Sequence, residues 1–87
     1  MKLTDSAAFA ILDVMKMAKL DPKKIVFQFY LLKNGGIGMT FSKDRNGIAQ
    51  QYGELTVMIG NGIDMNQTKV DYGEMNGRRG IIFLENK

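Results

Sequence analysis

Eighty-seven residues with a net charge of +3 and 45% hydrophobic side chains bound the problem to one small domain of ordinary globular composition. The mild basic excess speaks for solubility rather than for a nucleic-acid footprint, which is usually stronger or more clustered. Neither cysteine nor histidine occurs, which excludes disulfides, thiolate nucleophiles, the usual zinc sites and imidazole acid–base chemistry.

What is left for chemistry is nine carboxylates, twelve cations, three tyrosines and a few hydroxyls. No stretch approaches the roughly 20 apolar residues that a membrane span needs. Asp5 and Asp13 interrupt any apolar leader region. The expectation is a cytoplasmic protein with no membrane association.

Thr4 to Lys19 reads as a helix. Thr4 is its N-cap, Asp5 suits the positive end of the helix dipole, and Lys16 and Lys19 suit the other end. Ala7, Ala8, Ile11, Leu12, Met15 and Ala18 recur at helical spacing and give one apolar stripe. Asp21-Pro22 stops the helix, because proline disfavours helical geometry in the residue before it. Ile25 to Lys33, "IVFQFYLLK", is rich in β-branched and aromatic residues and reads as a strand with both faces partly covered.

The loop at 33–38 carries Gly35, Gly36 and Gly38, and Met39 to Ser42 follows as a short strand. Asp44-Arg45-Asn46-Gly47 is a turn cluster. Leu55, Val57 and Ile59 alternate through another strand, ended by Gly60-Asn61-Gly62. Ile63 to Gln67 is short and polar, consistent with one helical turn. Lys69 to Met75 and Arg79 to Glu85 read as strands joined at Asn76-Gly77, a strong signal for a two-residue hairpin turn. One helix followed by about five strands predicts an α+β domain over residues 1–87, the N-terminal helix packed on a mainly antiparallel or mixed sheet.

Four segments in this order resemble the HesB-like domain, the fold of the A-type iron–sulfur cluster carriers: "LTDSAA" at 3–8, "GGIGMTF" at 35–41, "GELTVMIGNGIDM" at 53–65 and "VDYGEMNGRRGIIFLEN" at 70–86. Together they cover most of the chain, with Gly38 and Phe41 on the family's loop glycine and aromatic. The resemblance implies the HesB-like fold. Cluster-carrying members hold iron through a cysteine in the glycine loop and a Cys-Gly-Cys tail. Here the loop position falls on Gly36, or on Ile37 if the gap is placed differently, and no counterpart of the tail occurs. Iron–sulfur clusters need thiolate or, less often, imidazole ligands. The expectation is therefore a member that has lost cluster ligation and binds no cofactor.

The remaining candidate sites are sparse. Backbone amides of Gly35, Gly36 and Gly38 could form an anion-binding loop, but the pattern is neither G-x-G-x-x-G nor a P-loop and leads into a strand. A turn needing positive φ at Gly35 or Gly36 is the simpler reading. Asp64, Asp71 and Glu74 lack the spacing of a calcium loop, so no metal site is expected. The seven methionines are spread across the elements as flexible packing, with an adaptable surface around Met58 and Met75 as the alternative.

Lys43, Arg45, Arg78 and Arg79 could make a basic patch, with Phe27, Phe29 and Tyr30 as stacking groups for single-stranded nucleic acid. Yet Phe27 and Phe29 sit on the strand face assigned to the core. With no positioned acid–base pair, the expected function is a non-enzymatic binding or interaction module with an unidentified protein partner or as a homo-oligomer. The alternatives are an accessory role in iron–sulfur cluster assembly through a partner, and weak nucleic-acid binding through the basic patch.

Overall fold

The computed structural model describes residues 1–85. Thr4 caps helix α1 (Asp5–Met17), its Oγ1 accepting the Ala7 N–H at 3.2 Å, with Asp5 in the first turn and Lys16 in the last. Ala7, Ile11 and Met15, one turn apart, are its buried stripe. The helix stops before Asp21-Pro22 is reached. Lys19 takes φ +58°, its N–H bonds the Lys16 carbonyl at 3.2 Å, and the Leu20 N–H bonds the Met15 carbonyl at 2.8 Å. This pair of bonds around a left-handed residue is the Schellman ending, here built on lysine rather than glycine.

The strands are β1 (Lys2–Leu3), β2 (Val26–Leu31), β3 (Ile37–Ser42), β4 (Ile48–Tyr52), β5 (Leu55–Ile59), β6 (Thr68–Met75) and β7 (Arg78–Glu85). The fold is α+β, and its strands divide between two sheets of order β1-β6-β7 and β3-β2-β5-β4. In each sheet one pair is parallel, β1 with β6 and β2 with β5, and the remaining pairs are antiparallel.

β5 lies between β2 and β4, and all five of its residues are buried. This accounts for the absence of charge from "LTVMI", which is covered on both faces. β1 and β4 go beyond the expected strands. The first is two residues long, and the second, "IAQQY", has glutamines in the middle and no clean alternation. The expected helical turn over Ile63–Gln67 does not form. Instead the Asn66 N–H bonds the Asp64 carboxylate at 3.0 Å, an Asx turn that lets Met65 reach the core.

One apolar core joins helix and sheets: Leu3, Ala7, Ile11 and Met15 meet Phe27 and Phe29 of β2, Leu55, Val57 and Ile59 of β5, Met65, and Val70 of β6. Ring contacts tie the sheets together, with Phe29 5.2 Å from Phe27 and 5.9 Å from Phe83 of β7. β7 thus lies over β2. At the other side the Tyr52 hydroxyl of β4 approaches the Met1 carbonyl at 3.5 Å, beside β1. The turn between β6 and β7 has φ +54° at Asn76 and +79° at Gly77, the type I′ geometry that Asn-Gly favours.

Candidate interaction surface

The glycine loop closes on itself. The Gly35 N–H bonds the Leu32 carbonyl at 3.0 Å and the Leu32 N–H bonds the Gly36 carbonyl at 2.8 Å. Gly35 takes φ +87°. This is a three-residue hairpin connection closed by a left-handed residue. The Gly36 N–H is held by the Asn34 side-chain oxygen at 2.9 Å. The amides of Gly35 and Gly36 are therefore spent inside the loop. Gly38 belongs to β3, opposite Tyr30. The Tyr30 ring lies directly over it, in the space a Cβ would need.

The four cations of the predicted basic patch are divided between the sheets. Lys43 and Arg45 lie in the 43–47 connection from β3 to β4. Arg45 Nη2 donates to the Lys23 carbonyl at 3.1 Å and lines an open depression of about 580 Å³ with Asp21, Gln51 and Glu54. Arg78 and Arg79 begin β7 in the other sheet and line a separate depression with Met75 and Ile82. As strand neighbours they point to opposite faces. Phe27 and Phe29 are in the core, so of the three aromatic candidates Tyr30 alone is exposed.

Asp71 has a structural task. Its Oδ1 accepts the Thr4 hydroxyl at 2.6 Å and the Tyr72 N–H at 2.8 Å, while the Thr4 N–H bonds the Val70 carbonyl at 3.0 Å. The helix cap is thereby tied to β6. The Thr4 hydroxyl first, then the Tyr72 amide and the nearby Lys69 charge, hold the Asp71 carboxyl below its usual range. Because the folded value lies below the unfolded one, this contribution is present above about pH 4 and is lost as pH falls through the folded value. Asp71→Asn keeps an acceptor but removes the titration. Acid unfolding followed by circular dichroism should show a shallower loss of stability below about pH 4 in that variant. Matching acid profiles for variant and parent would contradict the assignment.

Asp64 serves its own turn, and Glu74 faces Arg79 across the β6–β7 ladder. Among the described residues, no group of three or more Asp, Glu, His or Cys side chains gathers to hold a metal ion. Met58 is buried in β5 and Met75 is exposed at the β6–β7 turn, so they do not share a surface. Burial pushes the Tyr52 phenol up, and its hydroxyl donates to Gln50 Oε1 at 2.6 Å.

The surface that sequence reasoning missed lies where both sheets end. Leu31, Ile37, Met39 and Phe83 are 52%, 37%, 40% and 40% exposed. Met39 is the cross-strand partner of Phe29, Ile37 is that of Leu31, and Phe83 touches the Phe29 ring. They form an apolar rim around a buried ring, at the open side of the sandwich. The period-two spacing of Ile37, Met39 and Phe41 carried this signal, but the strand was expected to begin only at Met39.

Compared with family models, curated proteins and solved structures, the chain matches none.

Proposed function

We propose that this chain is a non-enzymatic protein-interaction module, a HesB-like domain that does not ligate an iron–sulfur cluster. The observation that carries the reading is the apolar rim of Leu31, Ile37, Met39 and Phe83, left open in a chain with neither cysteine nor histidine. Apolar side chains grouped around a core edge are worth burying against a partner, since each buried methylene returns about 0.8 kcal/mol. The resemblance of the four ordered segments supports the family reading, and the missing ligands support loss of the cluster.

The test is gentle anaerobic capture of the tagged protein from its own cells, followed by native mass spectrometry, beside a Met39→Glu variant. The expected result is the bare polypeptide mass plus a co-captured protein, lost in the variant while the melting temperature is kept. A mass excess fitting iron and sulfide would overturn the reading. So would capture that is indifferent to the charge placed at Met39.

A further inference from the structure

The flank of α1 beside its buried stripe carries Asp5, Ala8, Phe9, Leu12 and Lys16 at three- and four-residue spacing. It meets the β4–β5 turn, Tyr52-Gly53-Glu54, across an open hollow of about 420 Å³. Leu3 belongs to the core, and Ala8, Leu12 and Tyr52 pack against it, so the hollow has an apolar lining. Phe9 lines the hollow without joining the core, and it is 66% exposed.

The charges on this surface are of one sign. Asp5 and Glu54 line the hollow and no cation does, in a chain whose cations outnumber its acids twelve to nine. Neither carboxylate has a hydrogen-bond or ion-pair partner among the described residues. A second hollow of about 270 Å³ continues along the helix from the shared Leu12 and Glu54, past Asp13 and Lys16, to Leu20 and Pro22. The two together make a trough lined by three carboxylates and one lysine.

This combination selects an occupant. A neutral apolar group would leave Asp5 and Glu54 desolvated without a partner. A bare inorganic cation would leave the apolar lining wet. A lysine or arginine side chain satisfies both, because its aliphatic stem packs on apolar surface while its head group meets the carboxylates. An aromatic face such as that of Phe9 adds attraction for the same head group. The trough extends beyond one side chain, which suits a chain segment better than a free amine. β7 ends its sheet and leaves an open edge as well, but no charge complementarity among the described residues selects what pairs with it.

We propose that α1 and the β4–β5 turn form a docking trough for a basic segment of a partner protein. A lysine or arginine stem lies along Ala8 and Leu12, and its head group is held by Asp5, Glu54 and the Phe9 ring. This goes beyond the interaction-module reading, since the trough shares no residue with the rim of Leu31, Ile37, Met39 and Phe83.

The experiment is isothermal titration calorimetry of the full chain with a blocked hexapeptide of alternating arginine and leucine. The same peptide with glutamate in place of arginine, and spermidine, are the comparisons. Phe9→Ala and Glu54→Lys change exposed side chains outside the core, so both variants should keep the melting temperature of the parent.

The expected result is saturable binding of the arginine peptide that weakens as salt rises. Glu54→Lys raises the dissociation constant at least about tenfold and Phe9→Ala about threefold. The glutamate peptide does not bind, and Met39→Glu binds as the parent does. An arginine peptide that fails to bind, or that binds Glu54→Lys as well as the parent, overturns the proposal. So does equal binding of the glutamate peptide. Spermidine that displaces the peptide at equal concentration assigns the trough to a free polyamine and overturns the protein partner. Binding lost in Met39→Glu but kept in Glu54→Lys moves the contact to the rim, which overturns the trough and leaves the interaction-module reading standing. Should a variant unfold, amide chemical shifts of the parent decide: those of Ala8, Phe9, Gly53 and Glu54 move with the peptide, or the proposal fails.

Discussion

Phe29→Ala lowers the unfolding free energy by about 3–5 kcal/mol in urea denaturation. The ring is fully buried in β2 and bridges the two sheets. It packs edge-on against Phe27 at 5.2 Å within its own sheet and against Phe83 at 5.9 Å in the other. Its strand is paired on both sides, with β3 through Met39 and with β5 through Ile59.

Removing the ring leaves a void that neither sheet can close, because each is held by its own ladder. The cost is the lost transfer energy plus that of the cavity. A chain of this size is stable by only several kcal/mol, so the variant should lie close to its unfolding midpoint at physiological temperature. Loss of less than about 1 kcal/mol would mean that the β2–β7 contact does not hold the sheets together.

The features that were legible in the sequence are those with strong local signals. Thr4 and Asp5 marked the start of α1, and Asn76-Gly77 marked the hairpin. Leu55 to Ile59 read as a strand because alternation and β-branching coincide there. What was not legible depends on partners distant in sequence. β1 is a strand because Lys2 and Leu3 lie beside Lys69 and Val70, which no local pattern encodes. β4 is a strand because β5 offers it an edge, despite Gln50 and Gln51 in the middle.

The end of α1 was misplaced because lysine, not glycine, occupies the left-handed position after it, and propensity gives that no weight. For the candidate site, the glycine loop drew attention because glycines can cradle anions. Its amides turn out to be engaged by Leu32, Asn34 and their own loop. The open β7 edge was invisible in sequence, since an edge is a property of sheet order and not of a strand.

Gly47→Ala gives the second large effect, a loss of about 3 kcal/mol, from left-handed strain of about 1–3 kcal/mol together with overpacking of similar size. The sequence marks Gly47 only as part of a turn cluster, but the structure gives it a stricter role. The chain leaves β3 at one edge of the sheet and must reach β4 at the far edge, beyond β2 and β5. Gly47 is the last residue before β4, and it arrives with φ +118°. A Cβ there would overlap the Ile59 carbonyl oxygen and stand 2.9 Å from its carbon.

That obstacle is backbone of the fully buried strand β5, not the end of a flexible side chain, so relief requires moving a ladder. Gly53→Ala supplies the comparison. Gly53 also has positive φ, +60°, but nothing lies within 4 Å of the added carbon. Its cost should be only the left-handed penalty of about 1–2 kcal/mol. Denaturant midpoints for the two variants should therefore differ clearly, with Gly47→Ala the lower. Equal midpoints would mean that the crossover can move away from β5, and that close packing at Ile59 does not fix the path from β3 to β4.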